Sequence, residues 1–416
     1  MSTKPFFAAR FEEVLDRWVE RVVRSIGWRE KVICYTGYGT TASVRILGRV
    51  VLAPKHGRSA LALAVDEFAR RRGFRNFVTV PCVRVPLAVD VGGREVRAVC
   101  DRSGYIDVRV RDHGLEPGWR TVEVRSQDSM TALANVHIVA DDQTFGIASD
   151  IDDTVITTWL PRPFIAAWNS FIRDESARQA PPAMASMYAT LLREHPGAPV
   201  VYISTGAWNT HDFVTRFLRR HRFPPGPMLL TDWGPTNTGF FRSGATHKRD
   251  SLMQLTRDFP NVSWLLVGDD GQHDLEMYSG FAAVAPDRVR AIAIRQLTPT
   301  EQLLAHGTPD AMPDESDVCP GDVPVVRAPD GRGLLAALRE LPTMGDDPHT
   351  PARRRTAMPM GDDPHTPARR RARREATVTD TAAHEPTDQP TKRKPKGSPT
   401  PPSTTKEPHG DHDADQ

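Results

Sequence analysis

Between Phe145 and about Ser279 the chain repeats one unit: a short unbroken apolar run, a polar break, and a stretch with helical character. FGIASDI is followed by candidate helices near 164–174 and 183–194, and PVVYIST by one near 209–221. PMLLTD then precedes one near 248–258, and SWLLVGD one near 272–279. A strand that is apolar on both sides has to be covered on both sides, so this order specifies an α/β fold with a parallel sheet between helices. In open sheets of this kind ligands collect at the carboxyl ends of the strands. The polar residues that interrupt each run therefore stand where a site would form.

The rest of the chain follows other rules. Residues 7–30 place Phe11, Val14, Leu15, Trp18, Val22 and Ile26 at helical spacing, which predicts an N-terminal amphipathic helix within residues 1–30, packed on the next domain. From 31 to 143 short Val-rich runs broken by Gly, Pro and Asp predict an all-β, sandwich-like domain of antiparallel hairpins, one of them turning at Gly92-Gly93. DRSGYIDVRV fits the turn and strand of an immunoglobulin-like or transthyretin-like sandwich. Residues 144–342 form the α/β domain. Beyond it, 343–416 contain no Leu, Ile, Phe, Tyr or Trp and hold 12 of the 36 prolines, so this part cannot build a core and is expected to be a disordered Pro/Arg-rich tail. Its repeat of MGDDPHTPARRR, starting at Met344 and Met360, has nothing to bury and cannot stack as a solenoid.

Composition excludes several functions. A net charge of +2 argues against a chain built throughout to bind nucleic acid. Cys34, Cys82, Cys100 and Cys319 form no paired motif, and are expected to be reduced thiols that fill space. No apolar run is long enough to span a bilayer, and the N-terminus lacks the apolar centre of a signal peptide. The expected location is cytoplasmic, with the tail arginines and lysines allowing peripheral contact with an anionic membrane.

The chemistry lies at the strand ends. SDIDDT carries Asp150, Asp152 and Asp153, carboxylates that repel one another in a low-dielectric cleft unless a cation neutralises them. A Mg²⁺ ion, with its preference for oxygen ligands, suits such a set. PVVYISTG ends in Ser204 and Thr205, GATHKRD places Lys248 near a helix start, and VGDDGQHD adds Asp269, Asp270 and Asp274. Acids, a hydroxyl and a cation thus come from four separate element ends. In order and spacing these strings resemble the four motifs of the haloacid dehalogenase superfamily.

The resemblance narrows further. SDIDDTV, YISTGAWN, FPPGPMLL, GFFRSGATHK and VGDDGQHDLEMYS are together similar to the App1-type phosphatidate phosphatase family, over roughly residues 145–300. The likeness implies a haloacid-dehalogenase-like Rossmannoid sheet with a small helical cap, placed between the first two motifs, and a Mg²⁺-dependent phosphatase acting on a phosphorylated lipid. It implies Asp150 as nucleophile and metal ligand, and Asp152 as general acid and base that meets the metal through its backbone carbonyl. Thr154 would orient Asp152, Ser204 would bind a phosphoryl oxygen, and Lys248 would offset negative charge. Asp269 would complete the metal shell, with Asp274 direct or through water. The sequence departs from the family at Asp270, where a small residue is commoner. Trp159, Trp168, Trp208 and Trp233 are candidates for an apolar substrate entrance, and His211, His247 and His273 for hydrogen bonding behind the site. Two other readings are a phosphatase for a soluble phosphomonoester or phosphoprotein, and a non-catalytic binding protein.

Overall fold

The computed structural model describes residues 18–25, 27–54, 80–157, 178–231, 244–271, 273–299, 301–302, 318–319 and 321–344. Met1–Asp347 form one compact unit; the other, Pro348–Gln416, falls outside the described residues, as do the tail repeat and residues 158–177, which hold most of the segment where the cap is expected.

The expected N-terminal helix is present over 18–25 and ends sooner than its apolar spacing suggested. Gly27 adopts φ 92° and its N–H donates to the Arg24 carbonyl at 3.0 Å, so a glycine in the left-handed region closes the helix. Trp28 then begins a strand.

Eight strands follow: β1 (Trp28–Thr40), β2 (Ser43–Pro54), β3 (Val80–Pro81), β4 (Pro86–Val91), β5 (Arg94–Val99), β6 (Tyr105–Arg111), β7 (Gly118–Ser126) and β8 (Ala132–Val139). They hydrogen-bond in the order β3-β2-β1-β8-β7-β4-β5, with β6 also on β2. The Gly92-Gly93 turn joins β4 to β5 with both residues at positive φ, 62° and 82°, the conformation a two-residue hairpin loop demands. Ile106, Val108 and Val110 of β6 share one core with Leu87, Val89 and Val91 of β4, although these strands lie at opposite ends of the hydrogen-bonded array. The array therefore folds over on itself, as a sandwich does. One pairing departs from the antiparallel expectation: β1 and β8 run parallel, from Gly37↔Val136 to Thr40↔Val139. Six strands separate them in the chain, so no tight turn dictates their direction.

The second sheet has the order β11-β10-β9-β12-β13-β15-β14. Its strands are β9 (Phe145–Asp150), β10 (Val200–Ala207), β11 (Met228–Thr231), β12 (Ser263–Asp269), β13 (Val289–Arg295), β14 (Val318–Cys319) and β15 (Val323–Ala328). All pairings are parallel except β14 with β15. One face is covered by α1 (Met184–Glu194), α2 (His211–Arg220) and α5 (Gly331–Arg339), and the other by α3 (Gly244–Asp258) and α4 (Asp274–Val284). In α2, Phe213, Val214, Phe217 and Leu218 are buried while Arg216, Arg219 and Arg220 face water, so one stripe of the helix packs on the sheet. Cutting Phe213 back to alanine would cost about 3–5 kcal/mol. The chain moves from β9 to β10 and β11 on one side, and afterwards to β12 and β13 on the other. That reversal opens a crevice at the carboxyl end of β9.

The outer face of β1 joins the two sheets. Tyr35, Tyr38, Leu47 and Val139 pack with Leu252, Leu255, Phe259 and Trp264 in a single apolar cluster. Asp258 at the end of α3 accepts hydrogen bonds from Tyr38 at 3.0 Å and from both terminal nitrogens of Arg109, at 2.5 and 3.0 Å. All four cysteines are free thiols, as expected. Burial raises the Cys34 thiol to about 12 and that of Cys100 to about 11, which keeps both protonated and inert.

Candidate active site

Three neighbouring strands deliver the site. Asp150 ends β9, Asp269 ends β12, and Ser204 lies in the carboxyl-terminal half of β10. Helices bring the remaining groups: Asp274 is the first residue of α4, and Lys248 lies in the second turn of α3. Asp150, Ser204, Lys248, Asp269 and Asp274 are all buried.

Asp150, Asp269 and Asp274 each point an oxygen into a common space in which these atoms lie within 4.8 Å of one another. Lys248 Nζ closes the group, 2.7 Å from Asp150 Oδ1 and 2.6 Å from Asp274 Oδ1. Burial alone would lower the Lys248 pKa, and its two carboxylate partners reverse that so that it stays charged. One cation cannot balance three carboxylates. Burial, followed by mutual repulsion, raises the pKa of Asp150 and Asp269 well above the carboxylate range, and that of Asp274 also rises. Asp150 Oδ2 is buried and accepts no hydrogen bond. A clustered, all-oxygen donor set with excess negative charge and a bare carboxylate oxygen fits a hard divalent cation.

Asp152 stands apart from this trio. Its Oδ2 accepts a hydrogen bond from Ser204 Oγ at 2.9 Å, and Ser204 Oγ in turn accepts one from the Gly206 N–H at 2.9 Å. Burial raises the Asp152 pKa, with Ser204, Lys248 and Arg178 working against the rise. One expected contact differs. Thr154 does not orient Asp152; its hydroxyl donates to Asp269 Oδ2 at 3.3 Å, because the turn after Asp152 carries it toward β12. The hydroxyl that reaches Asp152 is that of Ser204.

The backbone around these groups is tightly held. Asp153 sits at φ 56°, and the bonds Asp153 N→Ile156 O (2.8 Å) and Val155 N→Ile151 O (2.9 Å) close the turn. Buried Arg295, absent from the sequence reading, donates to the Asp153 carbonyl at 2.7 Å and pairs with Glu301 at 2.7 Å. Ser149 Oγ donates to the Asp150 carbonyl at 2.6 Å and lies 2.6 Å from Tyr188 Oη. Gly268 is required by close approach: a Cβ there would lie 2.7 Å from Asp274 Oδ2 and 2.8 Å from its Cβ. The Asp269 carboxylate is itself fixed by the Gly271 N–H at 2.7 Å.

The departure at Asp270 has a structural cause. Its Oδ1 accepts from the Leu297 N–H at 2.8 Å, which ties the loop after β12 to the end of β13. Of the histidines, His247 bonds the Leu229 carbonyl at 3.2 Å, His273 precedes α4 on the surface, and His211 is buried against Tyr35. Trp208 is half-buried between the sheets; Trp159, Trp168 and Trp233 lie outside the described residues.

Residues 145–296 match a protein family described as the catalytic domain of phosphatidate phosphatase APP1, so the App1-type resemblance seen in the motifs is borne out over this segment. Phosphatidate phosphatase APP1 of Saccharomyces cerevisiae is 32% identical over 154 residues, which are 36% of this chain and 25% of that protein. An uncharacterized protein of Schizosaccharomyces pombe is 24% identical over 160 residues, 38% of this chain and 26% of that one. The match thus spans about a quarter of each curated relative. Among solved structures, a carbohydrate acetylesterase from Xanthomonas citri aligns over 65% of this chain and 70% of its own, at 9% identity and a TM-score of 0.23. A score that low bears on neither fold nor activity.

Proposed function

We propose that the domain matched to the phosphatidate phosphatase catalytic segment makes this chain a metal-dependent phosphatase, and that it converts phosphatidate to diacylglycerol by way of an aspartyl-phosphate. The observation that carries this reading is Asp150: a buried carboxylate at a strand end with one oxygen on Lys248 and the other unbonded. The sheet, read with these strand-end acids, is of haloacid-dehalogenase type.

In the first step Asp150 Oδ2 attacks phosphorus in line with the ester oxygen, the P–O bond to the lipid breaks, and Asp152 gives its proton to the leaving oxygen. Burial favours the protonated Asp152 this needs, and the Ser204 hydrogen bond holds its carboxyl in place. In the second step Asp152, now ionised, takes a proton from water, which attacks phosphorus and releases Asp150 and inorganic phosphate. Lys248 offsets charge on Asp150 as phosphate approaches. Asp150, Asp269 and Asp274 would hold Mg²⁺, whose contribution is to neutralise carboxylate and phosphate so that one anion can approach the other.

The test is phosphate release from phosphatidate in mixed micelles with and without Mg²⁺, beside soluble sugar and nucleotide phosphates, with Asp150→Asn as control. Metal-dependent release that the variant abolishes is expected. Faster turnover of a soluble ester would reassign the substrate, and full activity in the variant would end the mechanism.

A further inference from the structure

Two pairs of contacts orient the N-terminal strands relative to the site. In β1, Tyr35 stacks on Trp208, just past the carboxyl end of β10, while Tyr38 bonds Asp258 beside Phe259, on the amino-terminal side of β12. In β6, Tyr105 lies against Trp208 and Arg109 pairs with Asp258. Both strands therefore run from the active-site end toward the opposite end. By their pairings β8 and β4 run with β1, and β7 and β5 run against it. The starts of β1, β4 and β8 and the ends of β5 and β7 all lie at the active-site end. The 18–25 helix is fastened there too, with Arg24 3.7 Å from Asp128 and Glu20 accepting from the Val83 N–H at 3.2 Å.

This end carries most of the large apolar side chains exposed among the described residues: Trp18 (59%), Val22, Val99 (60%), Met130 (90%) and Leu133 (64%). The helix turns Trp18, Arg21, Val22 and Ser25 to solvent, at the spacing of a single face. Between β4, β5 and β7 runs an open groove lined by Leu87, Ala98 and Val99, with Arg97 and Arg125 on its walls. The exposed charges nearby are Arg21, Arg29, Arg84, Arg97 and Arg125 against Glu95, Asp101 and Asp128, with Arg125 paired to Glu95, which leaves a smaller positive excess. Glu20 and Glu30 are turned onto Arg24.

We propose that this end of the N-terminal sheet docks on an anionic lipid bilayer, and so presents the carboxyl ends of β9, β10 and β12 to the membrane. Tryptophan and aliphatic side chains enter the boundary between headgroups and acyl chains, and interspersed arginines meet lipid phosphates. The phosphatase reading supplies the lipid substrate, but docking is measured without turnover.

The experiment is co-sedimentation of the full chain with vesicles of phosphatidylcholine alone, or with a minor share of phosphatidylglycerol, which is not a phosphomonoester. Wild type, Met130→Asp/Leu133→Asp and Arg97→Glu are compared; all keep the tail arginines, and thermal unfolding checks that each is folded. Expected are binding to the anionic vesicles that weakens with salt, and a loss of about tenfold or more in the double variant. Wild type that ignores anionic vesicles, or a double variant that binds as tightly, overturns the proposal. Association between copies that the double variant abolishes, with no vesicle binding, assigns the surface to a second copy and overturns it as well. Phosphate release from p-nitrophenyl phosphate by wild type reports on the phosphatase reading separately.

Discussion

The ring of Tyr35 stacks on that of Trp208 with centroids 4.6 Å apart and planes 13° from parallel, and so joins the N-terminal sheet to the loop that leaves Ser204. That loop is also held by Thr231 Oγ1, which donates to the Thr205 carbonyl at 2.7 Å, and by Thr210 Oγ1, which donates to the Ala207 carbonyl at 2.7 Å. Tyr35→Ala should cost about 3–5 kcal/mol of stability by denaturant unfolding, of which about 0.5–1.5 kcal/mol is the stack itself. It should lower kcat for phosphate release more than it raises KM, and Tyr35→Phe should restore most of both.

Gly268→Ala places a methyl group against Asp274. The carboxylate has to move, and Lys248 and Asp269 lose their partner's position. A drop of about 10- to 100-fold in Mg²⁺ affinity is expected, measured by calorimetry, with far-ultraviolet circular dichroism unchanged.

Ser204→Ala removes the hydrogen bond that favours the ionised form of Asp152. The pKa of Asp152 then rises further, and the protonated acid persists to higher pH. The alkaline limb of the kcat profile should therefore move upward in pH, while kcat falls by about 10²-fold as the carboxyl loses its orientation. An unmoved limb would mean that Asp152 is not the acid.

His137, buried in β8 against Trp119, has a pKa lowered from 6.5 by burial. The folded state takes up its proton less readily than the unfolded chain does. Its contribution is therefore constant above pH 6.5 and is lost as pH falls from 6.5 to the lowered value, at no more than about 1.4 kcal/mol per pH unit. Unfolding of wild type and His137→Gln across this range should show a shallower slope in the variant.

The strand-end acids were legible because a polar residue that breaks a fully apolar run has few structural reasons to be there. Asp150, Ser204 and Asp269 stand out for that reason, and the structure brings Asp150 and Asp269 together with Asp274 and Lys248. The contacts among them were not legible. Whether Thr154 or Ser204 reaches Asp152 depends on how a six-residue turn rotates, and nothing in residue order records it. Arg295 was missed because its partner, the Asp153 carbonyl, lies 142 positions away and leaves no mark in composition. The bond from the Leu297 N–H to Asp270, 27 positions apart, left no mark in the sequence either. Among the described residues no helix is long and apolar enough to cross a membrane.

The shared cluster beneath β1 also sets how this protein comes apart. Phe259 and Trp264 are fully buried, and part of their cover is Tyr38 of the other sheet. Removing residues before 144 would bare that face, so the matched segment is not a self-sufficient piece. Heat or denaturant should produce a single unfolding transition for both sheets, and loss of the first sheet should be inherited as loss of the second.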